Sequence, residues 1–191
     1  MKGVDINKKT MVVNEGEYIE IAIPIDQDAE IIELKKDAHS RIAINGSSRL
    51  HFDAILSGEN AVLEISGTFA GNVNEEQNII LNIVQDAPRT SCNVRFRTAL
   101  DGASVSRFDG LIRMTERAID SDAHLSYRSM LLSKQSRAMP TPRLEILTKR
   151  VASASHEASV GTIDSQQLFY LQSRGLSYKK ARQLIIDGFL K

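Results

Sequence analysis

A single cysteine, Cys92, is the whole thiol inventory of these 191 residues, and tryptophan is missing altogether. One thiol excludes an intramolecular disulfide framework and any site to which one chain supplies several thiolates. Aromatic residues make up 5% of the chain, too few for the stacking platforms of single-strand nucleic-acid binders. Net charge is absent as well, because 24 Lys and Arg balance 24 Asp and Glu; a polyanion binder needs a cationic surplus. No apolar run approaches the ~18 residues of a membrane span, and the opening MKGVDINKKTMVV has no apolar signal-peptide core. Phosphate loops and the HExxH, GxSxG and CxxC patterns do not occur. The expectation is a cytoplasmic protein that binds neither nucleic acid nor membrane.

What is present is an ordinary globular composition, 42% hydrophobic and 25% charged, at a length that fits one domain with a small appendage. The zero net charge conceals an asymmetry. Residues 1–90 hold 15 acidic and 8 basic residues, and residues 91–191 hold 9 acidic and 16 basic. Short runs with the period-2 alternation of half-buried strands fill residues 1–164. Ile19, Ile21, Ile23 and Ile25 alternate with Glu20, Ala22 and Pro24, and Cys92, Val94, Phe96 and Thr98 with Asn93, Arg95 and Arg97. Pro24 must sit at an edge or a strand end. Asn45-Gly46, Ser57-Gly58, Gly71-Asn72, Asp101-Gly102 and Asp109-Gly110 read as turns between strands. Periodicity alone leaves a sandwich and a solenoid about equal, with no strict short repeat to decide.

Residues 165–191 change character. Asp164 is an N-cap candidate followed by Leu168, Phe169 and Leu171, and Gly175 fits a left-handed helix end. Ser177 then caps a second helix with Ala181, Leu184, Ile185 and Phe189 at spacings of three and four. This helix–turn–helix carries Arg174, Lys179, Lys180, Arg182 and Lys191 against Asp187 alone. It reads equally as a cap over the open end of a β core or as a docking surface for a partner.

Chemistry-bearing residues are sparse. Cys92 falls in line with Val94 and Phe96, so a buried inert thiol is the better reading. His39, His51 and His124 sit among polar residues and read as surface histidines. In Val151–Gly161, alternation places Ala152, Ala154, His156, Ala158 and Val160 on one face and Ser153, Ser155, Glu157 and Ser159 on the other. By spacing alone His156 reads first as a satisfied core histidine and second as a ligand-facing one. Glu157 points the opposite way, so the two do not readily chelate one ion.

Three segments carry a resemblance: Pro140-Thr-Pro-Arg-Leu-Glu-Ile146, Ser155-His-Glu-Ala-Ser-Val-Gly161, and Leu168-Phe-Tyr-Leu-Gln-Ser-Arg-Gly-Leu176. In this order and at these separations they closely resemble the C-terminal core of the SufB/SufD proteins, scaffold components of the Suf iron–sulfur cluster assembly machinery. Ala87–Ser91, Phe108–Arg113 and Arg128–Ser133 look like family elements too. The resemblance implies a right-handed parallel β-helix over 1–164 and C-terminal helices over 165–191. It implies pairing with an identical or SufB-like subunit through the β-helix. It also implies docking of a SufC-like ABC ATPase through Leu168, Phe169, Tyr170, Arg174, Lys179, Lys180 and Arg182. On this view His156, with Glu157, becomes an interface or cluster-assembly residue, and Glu157 matches an acidic residue of the SufB-like branch.

The departures from the family are as informative. Family members are usually more than twice this long. By local alignment Tyr127 stands where cluster-bearing scaffolds carry a cysteine, and Ala154 where SufD-like members often carry one. Iron in such clusters is held by thiolates, so the chain is read as a non-enzymatic, SufD-like or divergent scaffold subunit with no tightly bound cofactor. A second reading makes it an iron or cluster binder that uses His156 and Glu157 with ligands from a partner chain. A remote third is a β-helical carbohydrate-active enzyme, which needs clustered carboxylates and sugar-stacking aromatics.

Overall fold

A computed structural model describes residues 10–23, 27–46 and 49–191, with the side chains of 27–30 left aside. Pro24 and Ile25 lie outside the described residues. Among the described residues twelve strands alternate between two sheets. The first sheet contains β1 (Thr10–Val13), β3 (Gln27–Leu34), β5 (Arg49–Leu56), β7 (Glu76–Gln85), β9 (Val105–Met114) and β11 (Arg137–Ile146). The second contains β2 (Tyr18–Ile23), β4 (His39–Asn45), β6 (Val62–Gly71), β8 (Ser91–Leu100), β10 (Ser121–Leu131) and β12 (Val151–Thr162). Within each sheet every strand pairs in parallel with the strand two elements away, in unbroken chain order. The chain is therefore a β-solenoid of stacked rungs. Consecutive strands lie in opposite sheets, so among the described residues no two of them form a hairpin.

In-register stacking turns the period-2 alternation into columns of like side chains between the sheets. Ile21, Ile42, Ile65, Val94, Leu125 and His156 form one such column. Its middle members, from Ile42 to Leu125, are at most 2% exposed. Each fully buried aliphatic of this kind contributes roughly 1.5–3 kcal/mol. The neighbouring column holds Ile44, Gly67, Phe96, Tyr127 and Ala158. Phe96, Phe108 and Tyr127 stack across the core with centroid separations of 5.1 Å. Gly67 makes room for this stack, since a Cβ there would lie 2.0 Å from Phe96 Cε1.

The corners stack as regularly as the strands. Gly16, Asp37, Asn60, Arg89 and Asp120 all have φ between 55° and 68°, the left-handed conformation that Asn, Asp and Gly adopt most readily. Each donates its N–H to a carbonyl of the next rung, as Asp37 does to Glu59 at 2.8 Å and Arg89 to Ile119 at 2.8 Å. Side chains form a second ladder outside: Asn60 donates to Asp37 at 2.7 Å, Arg89 donates to Asn60 at 3.0 Å, and Arg150 donates twice to Asp120 at 2.5 and 2.6 Å. On the other edge, Gly102 is required because a Cβ would lie 2.5 Å from the Val73 Cα. Asp109-Gly110, read as a turn, lies instead inside β9. Gly110 faces inward there against Phe108 and Leu125, so its missing side chain serves packing and not chain reversal.

Two helices follow. Asp164 caps α1 (Ser165–Ser173) by accepting from Gln166 N at 2.8 Å, and Ser177 caps α2 (Tyr178–Leu190) by accepting from Lys180 N at 3.4 Å. Gly175 sits between them at φ 91°. Ala181, Ile185 and Ile186 are the buried face of α2, which packs on β8; Leu184, placed in the apolar stripe, is 54% exposed. The hairpin does not cap the solenoid. Arg182 holds it to the side by donating to Asp101 at 2.7 Å, and Arg97 donates to the Phe189 carbonyl at 3.2 Å.

Gly67→Ala is expected to cost about 1–3 kcal/mol by overpacking the aromatic stack. Gly188→Ala, whose Cβ meets nothing within 4 Å, should be neutral or gain up to about 1 kcal/mol. Denaturant unfolding of both variants checks the contrast.

Candidate functional site

The last rung is where the inward columns meet solvent. β12 continues the alternation of β10 in register, Ala123 under Ala154, Leu125 under His156 and Tyr127 under Ala158. Leu125 and Tyr127 are fully buried, whereas His156, Ala158 and Val160 above them are exposed. On β11 the inward row is Ala138, Pro140, Pro142, Leu144 and Ile146, over Ser106, Phe108, Gly110, Ile112 and Met114. The result is an uncovered end of the core, apolar except for one imidazole. His156 is thus neither a satisfied core histidine nor an outward one; it stands on the inner face with no rung over it.

Glu157 is on the opposite face, as alternation requires. Ser126 donates to it at 2.7 Å and Arg128 at 2.9 Å. The Ser126 hydrogen bond first, and then that from Arg128, hold its carboxyl below the usual carboxylate range. It is therefore an ionised, engaged carboxylate pointing away from His156. Among the described residues no three His, Cys, Asp or Glu side chains converge in a way that could hold a metal ion. Cys92 lies in the inner column between Leu63 and Ala123 and is fully buried; burial pushes its thiol strongly up. The single thiol of the chain therefore does not reach the open end.

Tyr127 does not face the end either. It lies one rung below, and its hydroxyl donates to Ser106 at 2.9 Å and sits 3.1 Å from Thr98 Oγ1. Ser106 donates onward to Gln77 at 2.7 Å, and Thr98 to Ser129 at 2.9 Å. Burial raises the phenol above its ordinary range, against these hydrogen bonds. The set is an internal network, which the spacing in the sequence does not reveal because its members come from four strands.

The helical residues form a separate surface. Phe169 is 72% exposed and Tyr170 55%. Arg174 lies over the Tyr170 ring at 5.3 Å, and Lys179 and Lys180 are exposed nearby in sequence. Leu168 is half-buried. Arg182 belongs to the fold, not to this surface, since its guanidinium is held by Asp101. Tyr178 and Leu184, both more than half exposed, join the apolar part; their exposure depends on which face of α2 meets β8, which helical spacing alone does not fix. Neither helix is long and apolar enough to cross a membrane.

Fold and site together define a parallel two-sheet solenoid with a bare end at β11 and β12 and an aromatic–basic helical hairpin at its side. The model of the SUF system FeS cluster assembly SufBD core domain matches residues 26–189, and the chain belongs to that family. It is 31% identical over 154 residues to the iron–sulfur cluster assembly protein SufD of Escherichia coli K12, covering 80% of this chain and 36% of that protein. It is 29% identical over 167 residues to an iron–sulfur cluster assembly SufBD family protein of Mycobacterium leprae, covering 82% of this chain and 43% of that protein. The chain spans less than half the length of these relatives.

The Arg182 hydrogen bond lowers the Asp101 carboxyl below its ordinary range, with help from Gly102 N–H and against desolvation. A carboxyl depressed in the folded state stabilises above the unfolded value of about 3.9 and loses that contribution as pH falls through the folded value. Acidification below about pH 4 should therefore loosen α2 from β8. Asp101→Asn should loosen it already at neutral pH and remove the acid step. NMR shifts of the Ala181 and Ile185 methyls, followed through an acid titration, read both.

Proposed function

We propose that this chain is a non-enzymatic subunit of iron–sulfur cluster assembly that pairs through its bare solenoid end and docks an ABC-type ATPase of the SufC kind through its helical hairpin. The observation that carries the reading is the uncovered last rung. An apolar inner row and two long edge strands left in water invite a partner; on this reading the partner is an identical or SufB-like subunit. Membership of the SufBD core-domain family supports the same assignment. The hairpin supplies the second contact, with Phe169 and Tyr170 as rigid aromatic anchors and Arg174, Lys179 and Lys180 as the surrounding cations. Aromatic and arginine side chains dominate the energetics of such contacts. The chain works in the cytoplasm and holds no resident cofactor.

Phe169→Asp is expected to abolish capture of a SufC-type ATPase by the purified protein while leaving far-UV circular dichroism unchanged, because the side chain is mostly solvent-exposed. Undiminished capture by this variant and by the Tyr170→Ala, Arg174→Ala double variant would remove the hairpin from the docking surface.

A second reading gives the chain a direct hand on the cargo. His156 is an exposed imidazole on the inner face of the open end, and a partner chain could complete its ligand set with thiolates. Anaerobic reconstitution with iron and sulfide beside a cysteine-bearing SufB-type partner is expected to give the same visible absorption with wild type and with His156→Ala. A visible charge-transfer band in wild type that His156→Ala loses would establish this second reading.

A further inference from the structure

On the outer face of the second sheet, polar side chains reach across from one rung to the next. Arg41 donates twice to Glu64, at 2.9 and 2.8 Å, and His39 lies 3.3 Å from the same carboxylate oxygen. Thr68 donates to Asn45 at 2.8 Å and Ser91 to Asp122 at 2.9 Å. Nearer the open end, Ser126 and Arg128 both donate to Glu157, and His124 lies 2.5 Å from Ser155 Oγ. In each case a donor meets an acceptor on the adjacent strand.

Three neighbouring side chains break that pattern. Ser66 on β6 is in register with Arg95 on β8, and Asn93, two residues before Arg95, is in register with Glu64. Among the described residues none of the three side chains has a hydrogen-bond or ion-pair partner. The Asn93 oxygen is shielded from water without a donor, whereas its amide nitrogen, equally unpartnered, is not shielded. Ser66 and Arg95 are exposed and Asn93 is half-buried. With Arg41 and Glu64 they line a concavity of about 260 Å³. That is below the roughly 300–1,000 Å³ of clefts for drug-sized ligands, and it suits an ion or a small acid. Strand geometry sets Ser66 about 4.8 Å from Arg95 across the ladder and Asn93 about 6.6 Å from Arg95 along it, measured at the backbone. A hydroxyl, a carboxamide NH2 and a guanidinium thus converge, all able to donate and none with an acceptor.

We propose that this concavity binds a small oxyanion, a carboxylate or a phosphate, held by the Arg95 guanidinium together with the Ser66 hydroxyl and the Asn93 amide. The planar guanidinium fork matches either anion in bidentate geometry. Glu64 stands at the rim, but Arg41 already pairs with it at 2.8 Å. The carboxylate therefore fixes Arg41 and leaves Arg95 as the uncompensated charge of the concavity. All three donors stand on strands of one continuous parallel ladder, which positions them more firmly than loops would. The site lies on β6 and β8, apart from the open end and from the exposed aromatics of the hairpin. It stands whether or not the pairing and docking readings hold.

NMR of the full chain reads the site directly, through the side-chain NH2 of Asn93 and the Nε–H of Arg95. Inorganic phosphate and acetate are titrated separately, with chloride holding the ionic strength constant so that general screening does not change. At least one of the two anions should move both signals along a saturating curve. Saturation by phosphate alone identifies a tetrahedral anion as the ligand, and saturation by acetate alone a carboxylate; saturation by neither overturns the proposal. Arg95→Gln should weaken binding about tenfold or more, the effect of losing a charged hydrogen-bond partner, and Ser66→Ala should weaken it less. Arg113→Gln serves as the control, since that guanidinium is paired with Glu145 on the other sheet, and it should leave the curve unchanged. Full retention in Arg95→Gln, or equal weakening in Arg113→Gln, would mean a diffuse cationic surface and no site. Ser66, Arg95 and Arg113 are all exposed, so far-UV circular dichroism of the three variants should match wild type.

Discussion

The parallel backbone ladder between rungs is the interaction on which the rest depends. Each strand finds its partner one rung away, from Tyr18 with His39 near the start to Cys92 with Leu63 on one side and Ala123 on the other. A rung has no hydrogen-bonded partner of its own and buries its inner face only when neighbours stack above and below it. The same rule stabilises the interior and leaves the last rung deficient. What makes Leu125 fully buried makes His156, one step higher in the same column, exposed.

Exact register also decides what the corners are made of. If every rung turns at the same place, the turn residues stack, and any residue there must take the left-handed conformation and pass a hydrogen bond upward. Asp37, Asn60 and Asp120 meet that demand cheaply, because short polar side chains tolerate positive φ. Arg89 does not, and its compensation is visible: the guanidinium reaches Asn60 and forms an ion pair with Glu59. The corner column thus combines backbone strain with side-chain ladders that hold it in place.

Much of this was legible in the sequence, and the limit has a physical cause. Alternation in Val151–Gly161 places His156 and Glu157 on opposite faces, and the strand does so. The helix caps at Asp164 and Ser177 are equally local, and they form. Local pattern fails where the answer depends on another rung. Asp109-Gly110 looks like a turn, yet Gly110 is small because Phe108 and Leu125 occupy the space above it. The hairpin's pattern fits a cap and a docking surface equally, and the contacts with Asp101 and Arg97 that place it at the side come from other rungs. Sandwich and solenoid are likewise separated only by which strand pairs with which, and alternation is the same in both. The resemblance to a family supplied that long-range information; periodicity could not.

The charge asymmetry can now be placed. Because the described strands stack in chain order, those of the more acidic first half and those of the more basic second half lie in opposite parts of the stack. Part of the imbalance is only where the dividing line falls. Glu76 pairs with Arg107 and Asp86 with Arg117, so the anion of each pair counts in the first half and the cation in the second. These two pairs are neutral in space and leave most of the basic excess unaccounted for. The remainder gathers late in the chain, with Arg174, Lys179 and Lys180 on the exposed hairpin. Charges on such a surface are screened within about 8–10 Å at physiological salt, so they add little to the stability of the solenoid. Their reach is enough to orient an approaching acidic surface, which raises the rate of encounter more than the final affinity. The neutral total is therefore a poor guide to this protein's electrostatics: unpaired cations gather on the hairpin that Asp101 and Arg97 hold at the side of the stack.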